Sequence, residues 1–105
     1  MDRAALAALK RRVRPVGLSG MFTLEQASAA VALNRDVARF HAAVTQAERI
    51  LKLAGSLDLR LVHELALRAG QLMWLADELG RKLEAGSYLA LAHREPPWAG
   101  DEPRR

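Results

Sequence analysis

Apolar residues recur every three or four positions from Ala27 to Leu83, and the series is broken once, at Gly55–Asp58. A period near 3.6 places such residues on one face of a helix and on no face of a strand. The series Ala27, Ala30, Leu33, Val37, Phe40, Val44, Ala47, Leu51 and Ala54 predicts one helix over about 24–54. At about 1.5 Å per residue it would be roughly 46 Å long. Leu61, Val62, Leu65, Ala69, Leu72, Ala76, Leu79 and Leu83 predict a second helix over about 59–85. A connection as short as Gly55-Ser-Leu-Asp58 makes the two helices antiparallel neighbours. The loop then sets the register: Leu51 opposite Val62, Val44 opposite Ala69, Phe40 against Leu72 and Met73, and Leu33 against Leu79.

Local signals agree with these limits. Thr23 and Gln26 have capping-box spacing. Gly55 suits a left-handed helix end, and Asp58 suits an N-cap. Gly86 is expected to stop the second helix, with Ser87 capping a short turn over 88–93. Upstream, residues 3–14 are strong helix formers, with Leu6, Leu9 and Val13 on one face and Pro15 as the stop. Residues 15–22 read as a connector containing two glycines. The stretch 23–40 faintly echoes a helix-turn-helix, with Asn34 capping a helix that carries Arg35 and Arg39. It lacks the usual turn glycine, and the unbroken apolar period favours a straight helix.

The expected architecture is therefore all-α. It is an antiparallel hairpin of two long helices with a short N-terminal helix, resembling a three-helix bundle. Residues 1–93 would form one domain, and 94–105, with Glu95-Pro-Pro-Trp98, a flexible tail. The chain has 105 residues, half of them hydrophobic but only 5% aromatic, and no cysteine. A disulfide scaffold and a cysteine metal site are excluded, and no apolar run is long enough to span a membrane. A cytoplasmic location is the expectation that follows.

The catalytic inventory is thin. No glycine-rich phosphate loop is present. His63-Glu64 opens like a zinc-protease helix motif, but position 67 is Leu, so the second ligand is missing. His41, His63 and His93 are not expected to converge. Neither an enzyme, a metal nor a cofactor is expected.

Charge is more informative. The net charge is +4, yet residues 1–52 hold nine Lys or Arg against four Asp or Glu, while 53–105 hold seven against eight. The basic excess comes from Lys10, Arg11, Arg12 and Arg14, and from Arg35, Arg39 and Arg49. With Gln46, the last three fall within about 80° on a helical wheel, opposite the core face, and no acid shares their stripe. Guanidinium groups spaced in this way can follow a nucleic-acid backbone without reading bases.

A second stripe points to protein contacts. His63, Leu67, Gly70 and Trp74 lie at i, i+4, i+7 and i+11, roughly opposite the core face of the second helix. A two-helix hairpin cannot bury both faces. The N-terminal helix is expected to cover this stripe with Leu6, Leu9 and Val13; otherwise another chain must do so. Trp98 is a second candidate docking residue.

Two functions follow as expectations. The first is a small non-enzymatic subunit of a nucleoprotein assembly that holds nucleic-acid backbone. Its architectural analogues are CRISPR effector small subunits and phage packaging subunits, with which it shares no motif. The alternative is a helical interaction module, such as an antiactivator, an immunity protein or a secretion chaperone, with a protein partner or a second copy. No membrane and no small-molecule substrate is expected in either case.

Overall fold

The computed structural model describes residues 1–17 and 22–93, with the backbone alone for 83–93. The chain is all-α, with helices α1 (Arg3–Arg12), α2 (Leu24–Ala54) and α3 (Leu59–His93). Each start has a local cause. The Asp2 carboxylate accepts from the Ala5 amide at 2.8 Å. Thr23 Oγ1 accepts from the Gln26 amide at 3.0 Å, and Gln26 Oε1 accepts from the Thr23 amide at 2.9 Å. This completes the capping box. Asp58 accepts from the Arg60 amide at 2.8 Å. The α2 end is equally local: Gly55 takes φ 81°, and its amide donates to the Leu51 carbonyl.

α2 and α3 form the antiparallel hairpin. Ala30, Leu33, Val37, Phe40, Val44 and Ala47 are buried on α2, and Leu65, Ala69 and Leu72 on α3. Half-buried Leu51, Leu57, Leu61, Met73, Ala76 and Leu79 border this core. At the far end of the hairpin, Gln26 Nε2 donates to the Lys82 carbonyl at 3.4 Å.

α2 is continuous across 23–40, which removes the helix-turn-helix alternative. Asn34 caps nothing. Its amide instead pairs with the Val16 backbone, accepting from the Val16 amide at 2.6 Å and donating to its carbonyl at 3.0 Å.

Two helix ends differ from the expected ones. α1 stops at Arg12 instead of residue 14, and Val13 is already extended at φ −94°, ψ 100°. Pro15 disfavours helical backbone at Arg14, so the last turn has no room to close. α3 runs through Gly86 to His93, so Gly86 is no stop and Ser87 heads no new helix. An interior helical glycine costs only about 1 kcal/mol relative to Ala, and it ends a helix where it turns left-handed, as Gly55 does. The tail segment 94–105, with Trp98, lies outside the described residues, as do the side chains of Leu83 and His93.

α1 runs antiparallel to α2. Lys10 Nζ meets Glu48 Oε1 at 2.7 Å, His41 Nε2 donates to the Val13 carbonyl at 2.6 Å, and Asn34 holds Val16. These α2 partners descend in number as the α1 numbers rise. Leu6 and Val13 are fully buried in the hairpin core, and Leu9 packs against it.

Candidate partner-docking face

The placement of α1 decides which surface stays open. Asn34, His41 and Glu48 recur every seven residues, so they form a single flank of α2. All three hold the α1 segment, which draws Leu6, Leu9 and Val13 into the seam on that flank. The expected cover for the second α3 stripe is therefore used elsewhere. His63 and Gly70 are exposed, Leu67 is 56% exposed and Trp74 is 62% exposed.

The open surface extends beyond the expected stripe. Leu75 is 44% exposed beside Trp74. On the flank away from α1, a groove between α2 and α3 is lined by Ala29, Ala32 and Asp36 on one wall and by Trp74, Leu75 and Glu78 on the other. It continues toward Leu67, Gly70 and Gln71. On the opposite flank of Trp74, Arg12, Arg14 and Val16 form a recess with Met73 and Asp77. The Trp74 indole is thus exposed between an apolar groove and a charged recess. Such large rigid amphipathic side chains commonly anchor interfaces.

The basic residues divide between two surfaces. Arg12 and Arg14 lie beside Trp74, and Arg14 Nε also donates to the Arg11 carbonyl at 2.9 Å, closing the end of α1. Lys10 faces inward to Glu48, so its charge helps to dock α1. Arg35, Arg39 and Arg49 are exposed on the far face of α2. Asp36, just beside that stripe, reaches Arg39 at 3.7 Å. A pair this exposed contributes little, but it reduces the local positive potential. Arg35 and Arg49 have no ion-pair partner among the described residues.

Sequence reasoning missed Leu75, Ala29, Ala32 and Asp36 as walls of the groove. Their three- and four-residue spacing beside the core positions carries that signal, but only the packed hairpin brings the two walls together. The described residues hold no group of three His, Cys, Asp or Glu side chains placed to bind a metal. Among them, no helix is long and apolar enough to cross a membrane.

No family model, curated protein or solved structure matches this chain.

Proposed function

We propose that this protein is a helical interaction module that holds a protein partner against the outer face of α3. The observation that carries this reading is Trp74, 62% exposed with Leu67 and Leu75 beside it, on a helix whose other face is fully used by the core. Of the other exposed large side chains, Leu24, Leu53 and Leu59 lie at helix ends, and Val31 and Ile50 stand far apart on α2. Single exposed apolar residues of that kind are ordinary, whereas a contiguous group marks a contact surface.

The test is a pair of charge insertions, Leu67→Glu and Trp74→Glu. Both side chains face solvent, so far-UV circular dichroism should stay as in the wild type. Association, measured by native mass and by co-purification, should be lost. Wild type and variants that share one unassociated mass and the same empty pull-down would refute the reading.

A second reading is favoured by Arg35 and Arg49, which are exposed without an ion-pair partner among the described residues. We propose for that face a weak, sequence-independent grip on nucleic-acid backbone. Binding measured by fluorescence anisotropy at low salt should fall when Arg35, Arg39 and Arg49 are changed together to Ala. The slope of log affinity against log salt should also drop by about 2–3, from about 0.9 lost per phosphate contact on duplex DNA. Equal binding by both proteins, or none by the wild type, removes this second reading.

A further inference from the structure

We propose that the occupant of the Trp74 face is a second copy of this chain, its α3 antiparallel to the first and each Trp74 seated over the other copy's Gly70. The proposal rests on the reading of that face as a docking surface, and it names the partner.

The argument starts from Gly70. It sits in the middle of α3, where glycine is unfavourable. A Cβ added there would meet nothing within 4 Å in its own chain. Packing inside the monomer therefore gives no reason for the missing side chain. Leu67, Gly70, Gln71 and Trp74 stand at i, i+3, i+4 and i+7, which is the four-residue hole that receives a knob from a facing helix. With glycine as one member, that hole is wide and shallow enough for an indole. The largest exposed knob on the same stripe is Trp74, one helical turn away. In an antiparallel pair a knob of this kind can enter its own kind of hole twice, as the self-complementary interface of a two-fold dimer requires.

This register fixes what the rest of the face meets, and the charges agree with it. With Trp74 opposite Gly70, moving toward the N-terminus from Gly70 to Glu64 carries the facing copy from Trp74 to Gly80. Glu64 is then opposite the second copy's Gly80, one and two residues from its Arg81 and Lys82, while Arg81 itself falls opposite His63 and lies 3.6 Å from Glu78 of its own chain. The side chains of Glu64, Arg81 and Lys82 are exposed, and symmetry makes the pairing twice. Asp77 falls opposite Leu67, and Glu78 opposite Ala66. No acid meets an acid within the described part of the helix.

The mass in solution is the test, read by light scattering and sedimentation over a range of concentrations. The wild type should approach twice its 11.6 kDa monomer mass as concentration rises. Gly70→Leu puts a side chain into the hole at a position where a Cβ meets nothing of its own chain, and should weaken dimerisation by about tenfold or more while far-UV circular dichroism still reports the helices. Glu64→Lys alone, and Arg81→Glu with Lys82→Glu alone, should each weaken the dimer. Mixed together, those two proteins should form a one-to-one heterodimer, because each acid then faces a base again. A wild type that stays at 11.6 kDa at every concentration overturns the proposal, and so does a dimer that survives Gly70→Leu unchanged. If such a monomer still holds a different protein, and Trp74→Glu releases it, the second copy is wrong and the docking face stands. If Trp74→Glu alters no association of any kind, both fail.

Discussion

Replacing Leu72 by Ala should lower the unfolding free energy by about 2–5 kcal/mol, the usual range for emptying a close-packed leucine site. Leu72 is 1% exposed and belongs to the cluster where side chains from all three helices meet. The neighbours that would have to collapse into the void, Val44, Phe40 and Val13, are themselves buried. Phe40 and Val44 are fixed on α2 and Val13 on the segment that follows α1, so relaxation is limited. A small domain is stable by only about 5–15 kcal/mol in total, so this single change removes a large fraction. Urea unfolding followed at the helical circular dichroism band gives the number, with Leu53→Ala as the control. Leu53 is 88% exposed, and its loss should move stability by no more than about 0.5 kcal/mol. Equal effects at the two sites would contradict the assigned core.

The second large effect is expected at Asn34. Its side chain replaces the missing helical partners of Val16 with one accepted and one donated hydrogen bond. Asn34→Leu should cost about 1–3 kcal/mol, because a part-buried amide and carbonyl are left without partners. The consequence should also be local. The strap from Val13 to Gly17 would loosen from α2, and the end of α1 would fray with it. Trypsin cleavage after Arg12 and hydrogen exchange at the Val16 amide should both accelerate, well before exchange rises in the middle of α2. Asn34→Asp separates the two bonds. It keeps an acceptor for the Val16 amide but sets a carboxylate against the Val16 carbonyl, so most of the loss should remain. Unchanged cleavage in both variants would mean that the strap is held by burial of Leu6 and Val13 alone.

The Asn34 prediction concerns the docking of α1, which is also where the sequence alone stops short. The hairpin was legible because its causes are local. Thr23 and Gln26 lie three residues apart, Gly55 ends α2 within a turn of Leu51, and the core residues repeat at helical spacing. The outward stripe of Leu67, Gly70 and Trp74 was legible for the same reason, since a helical wheel assigns faces without knowing what covers them. The cover itself was not legible. α1 is amphipathic and could lie on either side of the hairpin by periodicity alone. The residues that choose the side are polar, and they pair with backbone groups 18 and 28 positions away. Taken as a sequence, Asn34 looks like a helix cap and His41 like an isolated histidine.

Three amphipathic helices, the turn that folds α2 back onto α3, and two candidate surfaces on their outer faces are written in the local pattern of residues. They are set there because helix period, capping and left-handed glycine act within a few residues. The tertiary structure alone decided that α1 fills the seam beside Asn34, His41 and Glu48, so that Trp74 remains open. That choice depends on long-range hydrogen bonds and on which of two similar apolar faces buries α1 better, and no local pattern encodes either one.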